Sequence, residues 1–330
     1  MTLPHDEFRA FIDAHSEFLI LSHVDPDGDA IGSSLGLHWA LRALGKTVVT
    51  ANESPLPEGL RFLPGSEWVR TPAEVGKVFG AVFILDCSSI DRTGPTAPGL
   101  IGPGARVANV DHHAANDGFG DPKLVNVEAS STAELVHEIL ESYGAPIGTE
   151  TAECLYVGLA SDTGAFRYQN TTPRTLRLAA RLVERGAKPS VAADELYGRK
   201  SEASLRILGL ALASLEKRGG GQVSVLTITR DMFEKARATA EDADGIVQFA
   251  KSLNGARVGV LIQEVAPGEV RLSFRSDGSL DVNEIASRFG GGGHRNAAGA
   301  RVRGELGNVR GAVLDSLDRA VNGGPPPPRG

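Results

Sequence analysis

Residues 18–30 read Phe18-Leu19-Ile20-Leu21-Ser22-His23-Val24-Asp25-Pro26-Asp27-Gly28-Asp29-Ala30. A short apolar run stops at an acidic turn, and behind the turn Ala30, Ser34, Leu37, Leu41 and Leu44 recur at helical spacing. This is the opening of a strand–loop–helix unit whose helix packs back on a sheet. Pro26 stiffens the turn and Gly28 lets it bend tightly, so His23, Asp27 and Asp29 can face one point. Read alone, the same turn is an acidic cap on the helix that follows.

The rhythm repeats through the first half. Strands are predicted at Phe18–Ser22, Thr47–Ala51, Ala81–Leu85, Arg106–Val110 and Lys123–Val127, with helices over Ser131–Tyr143 and Thr149–Ala160. The alternation predicts an α/β domain with a mainly parallel sheet flanked by helices, in which ligands gather beyond the carboxyl ends of strands. Two further segments put acids or imidazoles at such places, Asp86 after Phe83-Ile84-Leu85 and Asp111-His112-His113 after Val110, and a third sets Asp162 beside a glycine in Ser161-Asp162-Thr163-Gly164. Asp86 and Asp162 each read singly as helix caps. Four such segments in one sheet-like domain favour a shared site instead. Their donors are four carboxylates and two imidazoles, enough for two divalent cations with one carboxylate between them. Two such ions can generate hydroxide and hold a phosphoryl group in line for attack, so a metal-dependent phosphoester hydrolase is expected. Oxygen and nitrogen donors without sulfur favour Mg²⁺ or Mn²⁺, and the imidazoles tilt the choice to Mn²⁺, with Co²⁺ or Zn²⁺ as further candidates. His5, His15, His38 and His137 have no such setting and read as surface or packing residues.

The 330 residues suit two domains, each with its own core. Cys87 and Cys154 lie far apart, which argues against a disulfide framework or thiolate zinc site and suits a reducing cytoplasm. The acidic start, Met1-Thr2-Leu3-Pro4-His5-Asp6-Glu7, lacks a signal-peptide pattern, and no run is long enough for a membrane span. Net charge is −7, with 24 acidic against 15 basic residues over 1–190 and 17 against 19 thereafter. Proteins that coat long nucleic acid carry a broad basic surface, so a small anionic substrate fits this distribution better.

A helical linker is expected over 189–218 and a smaller mixed α/β domain over 219–322. Its strands are predicted near Gln222–Thr227, Val258–Val265 and Val270–Phe274, and its helices near Arg230–Thr239, Val282–Phe289 and Val309–Val321. The proline-rich end, 323–330, reads as a disordered or polyproline tail. Between Arg271 and Arg303 six arginines face three acids, and Gly290 to Gly293 lead into His294-Arg295. Glycine backbone there can approach a phosphate while His294 and Arg295 add donors, unless the run is only a flexible linker. Arg92, six residues after Asp86, is a weaker phosphate candidate.

At these residues the chain resembles the DHH phosphoesterase superfamily, through His23-Val24-Asp25-Pro26-Asp27-Gly28-Asp29, Asp86, Asp111-His112-His113 and Ser161-Asp162-Thr163-Gly164-Ala165-Phe166. The stretch from Phe274 to Ala300 resembles the glycine-rich signature of the DHH-associated C-terminal domain, so both halves are covered, roughly residues 5–320. In size and domain content the chain resembles the NrnA-type subgroup, which implies the activities of bifunctional oligoribonucleases and 3′-phosphoadenosine-5′-phosphate phosphatases. The resemblance implies a DHH domain over 1–188 and a substrate-binding domain over 219–322. It puts His23, Asp27 and Asp86 around one ion and Asp29, Asp86, His112 and Asp162 around the other, with Asp86 bridging. His113 would face the phosphate or assist proton transfer, Asp111 would orient the site, and Asp25 is unassigned. Arg275, Ser276, Gly291, Gly292, Gly293, His294 and Arg295 would contact substrate. Implied partners are short single-stranded oligonucleotides and small nucleotides such as 3′-phosphoadenosine-5′-phosphate, and a homodimer is implied as well. Two rivals are a cyclic or linear dinucleotide phosphodiesterase and a non-catalytic nucleotide sensor. Degenerate sensors should have lost metal ligands, whereas here the set is complete.

Overall fold

The computed structural model describes residues 4–321, and these divide into two compact units that meet in sequence between Arg199 and Lys200. The proline-rich tail expected at 323–330 lies outside the described residues.

The first unit is built on a six-stranded sheet: β1 (Glu17–Leu21), β2 (Thr47–Ala51), β3 (Val69–Arg70), β4 (Phe79–Leu85), β5 (Ile101–Asp111) and β6 (Lys123–Val125). Its order is β3-β2-β1-β4-β5-β6, and every pairing is parallel. Alternate residues of β1 serve opposite cores. Phe18 and Ile20 join the cluster formed with the helices, whereas Leu19 and Leu21 pack with Val82, Ile84 and Leu100 on the other face. A strand buried on both faces must read as a continuous apolar run, which is why β1 and β4 were plain in the sequence. The edges are short: β3 has two residues and β6 three.

The helices are α1 (Pro4–Ala14), α2 (Gly28–Ala43), α3 (Pro72–Val75), α4 (Thr132–Tyr143), α5 (Thr149–Asp162), α6 (Pro173–Glu184) and α7 (Pro189–Ala193). α2 is buried along nearly its whole circumference, leaving only Trp39, Arg42 and Ala43 outside the buried set. Its closest neighbour is α5, and glycines make that approach feasible. A methyl group on Gly32 would sit 2.5 Å from the Cys154 carbonyl oxygen and 2.7 Å from the Gly158 nitrogen. One on Gly158 would meet Ala133 Cβ at 2.7 Å and Asp29 Oδ1 at 2.8 Å. The two helices touch backbone to backbone, and each carries an acid of the candidate site.

The second unit has the sheet order β11-β12-β10-β9-β8-β7, from β7 (Glu216–Arg218), β8 (Val223–Ile228), β9 (Val258–Ala266), β10 (Glu269–Ser276), β11 (Gly292–His294) and β12 (Ala297–Arg303). Only β8 and β9 run parallel, so the sheet is mixed. Helices α8 (Glu202–Ala213), α9 (Arg230–Ala236), α10 (Val247–Lys251), α11 (Val282–Ser287) and α12 (Leu306–Val321) complete it. The segment 189–218 does not stand apart as a linker: α7 belongs to the first unit, while α8 and β7 belong to the second. The glycine run is not a flexible connector either. Gly292–His294 forms β11 against β12, and a methyl group on Gly291 or Gly293 would strike the carbonyl oxygen of Gly299 or Ala297, at 2.1 and 2.5 Å. No helix among the described residues is long and apolar enough to cross a membrane.

Candidate metal and phosphate site

Three interior strands deliver the first groups. His23 lies two residues past β1, Asp86 directly follows β4 at φ 57°, and Asp111 ends β5 with His112 and His113 behind it. The remaining groups come from helix ends. Asp27 caps α2, its carboxylate accepting from the Asp29 and Ala30 backbone N–H groups, so the capping reading of this turn is met and is compatible with the ligand reading. Asp29 opens the same helix. Asp162 is the last residue of α5 rather than an N-terminal cap, and beyond Thr163 the three residues Gly164, Ala165 and Phe166 form a run at φ 56–63° that turns the chain sharply. Asp86 caps no helix either, because the next turn, Ile90–Thr93, starts from Ser89.

Asp86 lies at the centre. Its Oδ2 is 3.5 Å from His23 Nε2, and its Oδ1 is 3.6 Å from His112 Nε2. His23 Nε2 is also 4.0 Å from Asp27, and His112 Nε2 is 3.0 Å from Asp162. Each imidazole directs its other nitrogen at a carbonyl oxygen: His23 Nδ1 to Val24 at 2.8 Å and His112 Nδ1 to Ala129 at 3.4 Å. A carbonyl only accepts, so Nδ1 carries a proton, and Nε2, which faces the carboxylates, is the nitrogen placed to bind a cation, as in histidines that bind metal. Ligand atoms of His23, Asp27 and Asp86 lie within 4.8 Å of one another, as do those of Asp29, His112 and Asp162 and those of Asp86, His112 and His113. The six residues expected as ligands therefore converge, and their oxygen and nitrogen donors fit two divalent cations.

Electrostatics point the same way. Asp29 is fully buried, and burial followed by the charges of Asp86 and Asp162 pushes its carboxyl well above the usual range. Burial raises Asp162 to about 6 despite its hydrogen bond to His112. Burial opposes charge on His112, but the Asp162 hydrogen bond and the surrounding carboxylates prevail and hold it at about 10; His23 is raised to about 9 in the same way, chiefly by Asp86. Carboxylates crowded in this way favour bound positive charge, and cations held there would compete with protons for the same groups.

Supporting groups were not visible in the sequence. Thr132, the first residue of α4, donates its hydroxyl to Asp86 Oδ1 at 2.8 Å and its N–H to Asp29 Oδ2 at 2.6 Å, and the Ala133 N–H reaches Asp29 Oδ1 at 2.9 Å. Asn170 donates to the carbonyl oxygens of Ser130 and Asp162 at 2.9 and 3.1 Å. Only the place of Ser131 and Thr132 at the start of a predicted helix hinted at such a role. Asp111 is fully buried and accepts from His113 Nδ1 at 2.7 Å. Arg92 is exposed, and its carbonyl oxygen accepts from the Val24 N–H at 2.9 Å, so its backbone supports the first acidic loop. Asp25 is exposed at φ 53° and bonds with Ser54. His38 and His137 are buried packing residues, and His5 meets Glu138 at 2.8 Å.

In the second unit, a groove of about 490 Å³ is lined by Arg275, Gly292 and His294, together with Arg271, Ser273 and Arg301. Arg271 and Arg301 are ion-paired to Asp244 and Glu269. Gly291, Gly293, Ser276 and Arg295 are not among its lining residues. The two glycines are packed on β12. Ser276 Oγ donates to the Arg295 carbonyl at 3.4 Å, and the Arg295 guanidinium turns to the Gly278 carbonyl and Asp281.

The DHH family, N-terminal domain, matches residues 17–159, and the DHHA1 domain matches residues 211–323. A bifunctional oligoribonuclease and PAP phosphatase NrnA from Thermus thermophilus is 37% identical over 300 residues, covering 90% of this chain and 88% of that protein. The protein of the same name from Bacillus subtilis is 30% identical over 295 residues, covering 88% and 91%. The crystal structure of an exopolyphosphatase-related protein from Bacteroides fragilis superposes with a TM-score of 0.89 at 26% identity, over 97% of each chain.

Proposed function

The chain belongs to the DHH phosphoesterase family, with a DHHA1 domain following the DHH domain, and from that premise we propose that it cuts very short RNA oligonucleotides to mononucleotides and dephosphorylates 3′-phosphoadenosine-5′-phosphate. The observation that carries this reading is the placement of Asp86, with one oxygen toward His23 and the other toward His112. A carboxylate so placed suits a bridge. His23, Asp27 and Asp86 would hold one Mn²⁺, and Asp29, Asp86, His112 and Asp162 a second, with Mg²⁺ or Co²⁺ as alternatives of similar donor preference. Bound there, two such ions supply a nucleophile at neutral pH and neutralise charge on the transferred phosphoryl group.

The chain's own residues do the rest. Asp111 fixes His113 through Nδ1, which leaves Nε2 as the nitrogen to meet a phosphate oxygen or pass a proton. Thr132 and the first N–H groups of α4 hold Asp86 and Asp29 in place without using side-chain charge. Arg275 and His294, beside the side-chain-free Gly292, offer donors to a nucleotide phosphate, and a groove of about 490 Å³ is on the scale of a small ligand rather than a long strand.

The test is hydrolysis of 5′-labelled RNA of two to five nucleotides, a long RNA, 3′-phosphoadenosine-5′-phosphate and cyclic di-AMP, with Mn²⁺ and with chelator. Mononucleotides from the short RNA and AMP from the bisphosphate are expected, only with metal. Turnover confined to cyclic di-AMP, or none on any substrate, would overturn the assignment.

A further inference from the structure

Asp111 must hold a fixed orientation inside a cluster of like charges. Its Oδ1 accepts from the N–H groups of His112 and His113 and from His113 Nδ1, at 2.9, 3.3 and 2.7 Å. All three donors approach the same oxygen, so they leave the other end of the carboxylate undefined. Asn116 supplies that end: its Nδ2 donates to Asp111 Oδ2 at 2.6 Å. The Asn116 amide is itself held. Its Oδ1 accepts from the Gly118 N–H at 2.8 Å, its backbone N–H reaches the His113 carbonyl at 3.2 Å, and its Nδ2 also lies 3.0 Å from Asn109 Oδ1 and 3.1 Å from the Cys87 carbonyl. Asn109, fully buried, donates in turn to the carbonyl oxygens of Ile84 and Cys87, at either side of Asp86.

We infer that Asn116 is a positioning residue which, by clamping Asp111, commits His113 Nδ1 to a hydrogen bond and assigns His113 to the substrate rather than to a cation. The inference rests on the role given to His113 above. His113 Nδ1 is only 3.6 Å from Asp86 Oδ1, and the imidazole belongs to one of the three groupings able to grip a metal. An Nδ1 that donates its proton to Asp111 has no lone pair for a cation. A carboxylate held at one oxygen only can swing about its Cβ–Cγ bond and release that nitrogen. With Asn116 at the far oxygen, the plane is pinned at both ends.

The experiment uses the full chain with Asn116→Ala and Asn116→Ser. In Mg²⁺-loaded protein, a downfield proton resonance of His113 Nδ1–H, identified by its loss in His113→Gln, should be present in the parent and absent from both variants while thermal unfolding is retained. With Mn²⁺, kcat should fall by about 10- to 100-fold, the scale of losing a group that orients a catalytic side chain, with KM and the number of bound ions unchanged. In an Asp111→Asn background the same substitution should change kcat by less than about twofold, because the effect travels through Asp111. A His113 resonance that survives in the variants, a loss of bound metal in step with kcat, or additive effects of Asn116→Ala and Asp111→Asn would each overturn the inference. Absence of turnover by the parent on RNA and on the bisphosphate would sink the proposed function instead, and the resonance would then decide this question alone.

Discussion

Gly32→Ala probes the helix contact on which the site is built. The new methyl would face two backbone atoms of α5, the Cys154 carbonyl oxygen at 2.5 Å and the Gly158 nitrogen at 2.7 Å, and neither can rotate away. Ordinary contact begins at 3.4 Å, so α2 and α5 must separate by roughly 0.9 Å at this point. Overpacking of this kind costs about 1–3 kcal/mol, and replacing a helical glycine by alanine returns up to about 1 kcal/mol. With the full return the net expectation is a loss of up to about 2 kcal/mol, or a fall in Tm of up to about 8 °C for a unit of this size. Asp29 and Asp162 sit on the separated helices, so affinity for the cation between them should weaken as well. Gly209 provides the control. It lies exposed in α8 with nothing within 4 Å of the added carbon, so Gly209→Ala should be neutral or stabilising by up to about 1 kcal/mol. Urea unfolding in chelator and calorimetric titration with Mn²⁺ measure the two effects. A Gly32→Ala protein as stable as the Gly209→Ala protein would refute the close-packing argument.

Three further outcomes follow. Asp86→Asn should reduce turnover by at least on the order of 10³-fold and lower the number of Mn²⁺ ions bound, measured by steady-state kinetics and calorimetry; near-normal turnover with two ions bound would remove Asp86 from the centre. Arg275→Ala should raise KM by about tenfold, the scale of one charge-assisted hydrogen bond, with kcat and metal binding nearly unchanged. His38 is held down at about 4 by burial and then by the Arg42 charge, so it stays neutral when folded while the unfolded chain takes up a proton near 6.5. That contribution is complete above pH 6.5 and is lost as pH falls toward 4, up to about 3 kcal/mol in all. The stability difference between the parent and His38→Gln, followed by urea midpoint from pH 7.5 to 4.5, should therefore shrink in acid, and a constant difference would contradict it.

The parallel sheet was legible because its interior strands are apolar on both faces, and β2 falls at Thr47–Ala51 as the sequence indicates. β3 escaped notice because two residues carry no pattern. α6 did carry one, with Thr175, Leu178, Ala179 and Leu182 buried at helical spacing after the Thr172-Pro173 start, although no helix is among the sequence expectations there. β11 and β12 had no such signal: Gly292-Gly293-His294 and Ala297-Ala298-Gly299-Ala300 lack the branched and aromatic residues that mark strands, because close backbone approach excludes them. At the site, acids and imidazoles beyond strand ends announced themselves. Thr132, Asn116 and Asn170 did not, since a first-turn threonine or a loop asparagine shows its partner only once the chain has folded around it.

The sheet order has one more effect. His23, Asp86 and Asp111 hang from β1, β4 and β5, while the short β3 and β6 occupy the margins. Margins fray first and amides there exchange with solvent soonest, so day-to-day breathing is absorbed two strands away from the hook on β1 and one away from that on β5. The centre therefore keeps its shape through partial openings that would scramble a site hung on loops, and it gives way only when the domain itself melts.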